Sequence, residues 1–174
     1  MVKVVVVPNI ENFDCSKKNI TELDLSHCPN LQDLDCSYNQ FTELDLSNCP
    51  NLKILWCRNN NKLTELNLSN CPNLEILSCD NNKLTKLDLS YCPNLQQLFC
   101  SDNQLPQLDL SYCPNLQGLY CNNNQLTELI ILNNDKLTEY NWKNNPIFNN
   151  ETNTIEKIKE YNRNRNNCSN YILK

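Results

Sequence analysis

The chain predicts a mainly β solenoid of about seven coils, 21–22 residues each, with parallel strands and a short C-terminal capping helix. Three observations carry this reading. Five segments repeat one pattern: ITELDLSHCPNLQDLDC (20–36), FTELDLSNCPNLKILWC (41–57), LTELNLSNCPNLEILSC (63–79), LTKLDLSYCPNLQQLFC (84–100) and LPQLDLSYCPNLQGLYC (105–121). The first Leu of each LxxLxC falls at Leu31, Leu52, Leu74, Leu95 and Leu116, in steps of 21, 22, 21 and 21. Within a unit, the apolar series Leu31, Leu34, Cys36, Phe41, Leu44, Leu46 and Cys49 matches neither a helical stripe nor a long alternating strand.

Residues 1–9, MVKVVVVPN, read as an N-terminal capping strand that guards an otherwise open sheet edge and stops at Pro8. Residues 10–147 form the repeat body, with units opening at Ile10, Leu31, Leu52, Leu74, Leu95, Leu116 and Leu137. Each unit should hold two short extended segments, LxC and LxL, joined by tight corners. Pro29, Pro50, Pro72, Pro93 and Pro114 suit those corners, because proline fixes φ and cannot donate to a ladder. One coil cannot bury its apolar side chains alone, so neighbours stack about 4.8 Å apart and share a core. Asn39, Asn60, Asn82, Asn103 and Asn124 close each LxxLxCxxN; a side-chain amide there serves backbone groups that the corner removes from the ladder. Lys18 at this place marks the first unit as terminal, and Tyr140 and Trp142, replacing Leu and Cys, mark the last. Residues 148–174 read as a cap helix over about 153–162 followed by a flexible tail. Ile155, Ile158 and Tyr161 share one helical face, and Asn153 with Glu156 fits a capping box.

Composition narrows the function. A net charge of -5 with no Lys/Arg cluster argues against nucleic acid and anionic membrane surfaces, which need basic patches. No stretch approaches the roughly 20 apolar residues of a membrane span. The N-terminal apolar run is too short for a signal sequence, so a cytoplasmic location is expected. Asn makes up about a fifth of the residues, Ala is absent and Gly118 is the only glycine. Asn is the next choice after Gly for turns.

Eleven of the twelve cysteines form two ladders, Cys15, Cys36, Cys57, Cys79, Cys100 and Cys121, then Cys28, Cys49, Cys71, Cys92 and Cys113. Parallel neighbours about 4.8 Å apart do not meet the geometry of a disulfide, whose Cβ atoms lie about 3.8 Å apart and turn toward each other. No CxxC occurs and His27 is the only histidine, so no metal site and no cofactor are expected. The ladders read as small buried hydrophobes in a reducing compartment. His27 is a corner residue beside Cys28 with no orienting partner, and the chain reads as non-enzymatic.

The LxxLxCxxNxL pattern, carried from about Ile10 to Ile147, resembles the leucine-rich repeat family over about four-fifths of the chain. The resemblance implies a non-catalytic interaction module that presents a parallel sheet to a protein partner. The LxxLxLSxCPN half is similar to short, mostly β forms in bacterial surface proteins and giant amoebal DNA viruses. The Asn-rich, Ala-free composition resembles Mimivirus-type repeat proteins. That implies a host or viral protein partner, with virion association as the alternative for a structural, glycan-contacting surface protein. A monomer is expected.

The outward positions around the LxC strand differ most between units. Ile54, Trp56, Ile76, Phe99 and Tyr120 line up as one apolar, aromatic band, with Arg58 and Asp80 beside it. Aromatics and Arg dominate binding hot spots, so these seven are the candidate partner-binding residues. The LxL side, with Glu22, Asp24, Glu43, Asp45, Glu65 and Asp88, reads as a solvated acidic face.

Overall fold

The protein is described by a computed structural model covering residues 2–148 and 155–169, without the side chains of 148, 161, 162 and 165–169. Strands are three residues each: β1 Lys3–Val5, β2 Asn12–Asp14, β3 Glu22–Asp24, β4 Asp33–Asp35, β5 Ile54–Trp56, β6 Ile76–Ser78, β7 Gln97–Phe99, β8 Gln107–Asp109, β9 Gly118–Tyr120, β10 Glu128–Ile130 and β11 Glu139–Asn141. A 3-10 turn, Pro146–Phe148, precedes helix α1, Ile155–Ser169. Seven LxC strands form one parallel sheet in the order β2-β4-β5-β6-β7-β9-β11. Each strand advances one repeat, as in Asp35↔Trp56 and Phe99↔Tyr120. The coil count, period and parallel pairing match the sequence expectation.

Local chemistry explains the coil. In the second corner the Cys28 N–H donates to Leu25 O (3.1 Å) and the Leu31 N–H donates to Cys28 O (3.2 Å), placing Pro29 second in a tight turn. The same pair of bonds recurs at Cys49, Cys71, Cys92 and Cys113. The first corner turns through a left-handed residue: Lys17, Tyr38, Asn59, Asn81, Asp102, Asn123 and Asn144 have φ between 54 and 58°. Asn and Asp, which tolerate that region best among residues with a Cβ, fill five of these seven corners, and Lys17 and Tyr38 take it in the first two.

The next residue is the ladder asparagine, and its bonds reach two coils. Asn103 Nδ2 donates to Cys79 O (3.0 Å) and Cys100 O (3.2 Å), while its Oδ1 accepts from the Leu84 N–H (3.0 Å). Asn39, Asn60, Asn82, Asn124 and Asn145 donate in the same way to Cys carbonyls or to Trp142 O. Consequently each interior Cys carbonyl receives two amide hydrogens, one from its own coil and one from the next. The side chains within, from Leu31 and Cys36 to Leu126, form one continuous core.

The opposite side departs from expectation. LxL segments pair as strands only at the ends, β1 with β3 and β8 with β10. In the middle coils Leu44, Leu66 and Leu87 still point inward, yet residues 43–45, 65–67 and 86–88 form no strand ladder. The ladder is therefore continuous on the LxC side and open between the middle coils on the LxL side. The extra residue of the 22-residue coil is absorbed in the corner after Asn60, where the Leu63 N–H donates to Asn60 O (2.9 Å).

Both ends are irregular. At the N-terminus β1 covers β3, with Val6 buried beneath. At the other end α1 packs on the β10 side through Ile158, and Lys159 Nζ donates to Asp135 Oδ1 (2.9 Å). The helix continues beyond the expected span to Ser169: the Asn/Arg stretch expected in the tail is helical there. Asn153 of the expected capping box lies outside the described residues, as do the side chains of Tyr161 and Cys168.

Candidate functional site

On the outer face of the seven-stranded sheet the central row reads Asp14, Asp35, Trp56, Ser78, Phe99, Tyr120 and Asn141. Alternation along each three-residue strand turns the middle Leu inward and leaves its neighbours on this face. Trp56, Phe99 and Tyr120 are accordingly half-buried, while Leu55, Leu98 and Leu119 between the rows are fully buried. The rings form a continuous stack. Phe99 and Tyr120 lie 4.9 Å apart and 6° from parallel; Trp56 and Phe99 are 6.5 Å apart at 27°.

Trp56 and Phe99 sit two rungs apart, and the residue between them is Ser78. Its small side chain lies almost wholly buried, so the two large rings can lean together above it. The Ser78 hydroxyl donates to Asp80 Oδ2 (2.9 Å), and the Ser101 N–H donates to Asp80 Oδ1 (3.0 Å). Burial nevertheless pushes the Asp80 carboxyl up from its ordinary pKa, against the pull of those bonds and of Arg58. Tyr120 Oη donates to Glu139 Oε2 (3.2 Å), fixing the far end of the stack. Ile54 and Ile76 are paired in the flanking row, both half-buried. Arg58 turns away from the stack: its guanidinium lies 5.5 Å from the Tyr38 ring centroid, with Lys17 Nζ 5.3 Å from the same ring. The structure therefore brings Ile54, Trp56, Ile76, Phe99 and Tyr120 into one patch, and holds Asp80 and Arg58 at its corner-side margin.

Other members of this face were not singled out from the sequence. Gly118 leaves room for the Gln97 side chain, since a Cβ on Gly118 would lie 2.0 Å from Gln97 Oε1. Beyond Trp56 the row turns acidic, and a cleft of about 410 Å³ opens among Asn12, Phe13, Asp14, Asp33, Asp35 and Trp56. Burial, then the neighbouring Asp35 and Asp14, raise the Asp33 carboxyl pKa, whereas the Ser16 N–H bond to Asp14 lowers that of Asp14. The aligned strand register could have revealed this cluster, because Asp14 and Asp35 precede Trp56 in the same row.

On the LxL side the opened coils leave clefts, the larger about 380 Å³ and lined by Glu65, Asn67, Lys86, Asp88 and Tyr91 among others. Here Asp24, Asp45 and Asp88 each accept the N–H of the serine two residues on. The eleven ladder cysteines are free thiols, all buried, and burial raises their pKa, to about 12 at Cys57 and Cys92. Among the described residues no His/Cys/Asp/Glu group has the arrangement of a metal site, and no helix is long and apolar enough to cross a membrane.

The family model described as leucine-rich repeats, two copies, matches residues 29–70, 50–91 and 72–112. No curated protein matches the sequence. Among solved structures, the chain is similar to YopM from Yersinia enterocolitica, 33% identical with a TM-score of 0.72, covering 80% of this chain and 30% of that one. It is similar to a leucine-rich repeat protein of Leptospira interrogans, 26% identical with a TM-score of 0.73, covering 78% and 38%. It is also similar to the functional domain of InlJ from Listeria monocytogenes, described as including a cysteine ladder, 25% identical with a TM-score of 0.68, covering 92% and 42%. The chain spans less than half the length of each of these proteins. The parallel sheet and the 21-residue period form a β-solenoid similar in fold to leucine-rich repeat structures, and the leucine-rich repeat signature matches residues 29–112.

Proposed function

We propose that the outer face of the seven-stranded sheet binds an extended segment of a protein partner, with Trp56, Phe99 and Tyr120 as anchors and Ile54, Arg58, Ile76 and Asp80 around them. The leucine-rich repeat fold commonly serves as a non-catalytic scaffold for protein–protein interaction. One observation carries the assignment to this face: three stacked aromatic rings stand outside the core, locked against each other and half open to solvent. Rigid, partly exposed aromatics lose little entropy on binding and supply most of the contact energy. Because Phe99 and Tyr120 cover each other's faces, their platform is poorly arranged for stacking a sugar ring, which favours a protein ligand over a glycan.

The test is a capture experiment with three variants. Trp56→Ser with Phe99→Ser should lose bound proteins while keeping a native circular dichroism spectrum. Glu43→Ser with Asp45→Ser, on the LxL side, should keep them. Retention of every partner by the first variant would move binding to another surface. Partners recovered from purified particles rather than from cytosol would favour the structural, virion-associated role. Leu98→Ala, which empties a fully buried site, should cost about 2–5 kcal/mol and serves as the core reference.

A further inference from the structure

The proposed docking face is not uniform along its length. Its C-terminal half is the aromatic stack; its N-terminal half is the acidic cleft of about 410 Å³ that Asp14, Asp33 and Asp35 line with Trp56 as a wall. Asp14 and Asp35 are direct register partners, and Asp35 is the register partner of Trp56. Hence two carboxylates and an indole occupy three successive rungs of one row. Asp14 Oδ1 and Asp35 Oδ1 accept the N–H groups of Ser16 (2.8 Å) and Ser37 (2.9 Å). Among the described residues no lysine or arginine is ion-paired with any of the three. Lys18 and Lys17 reach only the Asp14 end of the row, where they help lower the Asp14 pKa, with Lys17 Nζ over the Tyr38 ring; no cation is among the groups that shift Asp33. Trp56 stacks toward Phe99 on one side, which leaves the side toward β4 facing this cleft.

Resting on the docking reading above, we propose that the partner segment carries an arginine whose guanidinium enters this cleft, accepted by the Asp33 and Asp35 carboxylates and lying against the Trp56 indole. The face is charge-complementary to a cation at one end only. A planar guanidinium can bond carboxylates along its edge while its face rests on an aromatic ring, a combination an ammonium makes less well. From β4 to β7 is three rungs, about 14 Å at about 4.8 Å per strand, or about four residues of extended chain. The segment should therefore place an aromatic or large aliphatic residue about four positions from the arginine, where it meets Phe99 and Tyr120.

A phage-displayed library of random twelve-residue peptides tests this on the full chain. Wild type should enrich peptides with Arg about four positions from an apolar residue. The best peptide, synthesised, should bind Asp33→Asn with Asp35→Asn at least tenfold more weakly. Its Arg→Gln form should lose a similar factor on wild type and little further on that variant. If the double variant does not fold, the single variants Asp33→Asn and Asp35→Asn replace it in the same cycle. Glu43→Gln with Asp45→Asn, the same charge change on the other side, should leave binding unchanged. Losses that multiply independently, or enriched peptides lacking Arg, would overturn the proposal, and a library yielding no binder would overturn the linear segment as occupant. Sensitivity to Trp56→Ser with Phe99→Ser but not to the Asp variants would sink the arginine site and spare the docking face. Insensitivity to both would sink the docking face itself.

Discussion

Replacing the buried Asn103 by Ala should be among the most costly single changes in a corner, and the structure sets its size. Asn103 Nδ2 donates to Cys79 O and Cys100 O, but each of these carbonyls keeps a second donor, from Asn82 (2.8 Å) and Asn124 (2.9 Å) respectively. Only the Leu84 N–H, bonded to Asn103 Oδ1, is left with no acceptor. Stranding one buried donor costs about 1–3 kcal/mol, and losing two shared bonds adds about 0.5–1.5 kcal/mol each. The expected loss is about 2–6 kcal/mol. Asn103→Asp should be at least as costly, since it keeps the acceptor but turns a second oxygen toward two carbonyls. Asn94 is the comparison: its amide donates to Pro72 O (3.1 Å) in an exposed corner, so Asn94→Ala should stay within about 0.5 kcal/mol. Urea unfolding, followed by far-UV circular dichroism and by Trp56 and Trp142 fluorescence, measures both. Coincident transitions at the two tryptophans license a two-state treatment; otherwise hydrogen exchange at the Leu84 amide gives the local value. An Asn103→Ala variant no weaker than Asn94→Ala would refute the amide ladder as a stabilising device.

The period, the inward Leu and Cys positions and the role of the ladder asparagine were legible in the sequence because each is repeated five times. Repetition cancels the ambiguity of any single short strand. Phase followed from it: once Leu55, Leu98 and Leu119 are inward, Trp56, Phe99 and Tyr120 must be outward. What could not be read was anything set by the difference between coils rather than by their likeness. The LxL segments of residues 43–45, 65–67 and 86–88 have the same pattern as β8 and β10, yet only the latter pair forms a ladder. Strand pairing there depends on how neighbouring coils meet on that side, a property of the stack and not of one segment. Helix length was also missed, since Asn162–Ser169 lacks the apolar spacing that signals a packed helix. The turn of Arg58 toward Tyr38 reflects the left-handed corner, which swings the Tyr38 ring out between Lys17 and Arg58. The acidic cleft was missed for a different reason: its three aspartates look like ordinary solubilising charges until the register sets them beside one indole.

Three further outcomes follow from the same geometry. Asn81 has φ of 54° and an exposed side chain, so Asn81→Val should destabilise by about 1–2 kcal/mol while Asn81→Gly stays within about 0.5 kcal/mol; equal effects in thermal melts would remove the left-handed corner. The Ser N–H and hydroxyl groups hold the Asp24, Asp45 and Asp88 carboxyls below their ordinary 3.8, so the folded state binds fewer protons there than the unfolded chain. Their contribution is present above about pH 4 and is lost as pH falls through the lowered values, and Asp45→Ala with Asp88→Ala should flatten that acid limb. The thiols give the opposite sign. Burial raises the Cys49, Cys57, Cys71, Cys92 and Cys113 thiols from 9.0 to about 12, so the unfolded chain releases protons first as pH rises. Stability from these groups is complete below pH 9 and declines between there and pH 12, where several thiols act together. In a Cys168→Ser background, which leaves only the two ladders, a thiol reagent at pH 8 should label native protein no faster than it unfolds. Labelling should rise with urea in step with the circular dichroism transition and reach eleven thiols. Prompt labelling of any ladder cysteine without urea would mean that coils open locally, and that the thiols are not sealed by the core as placed here.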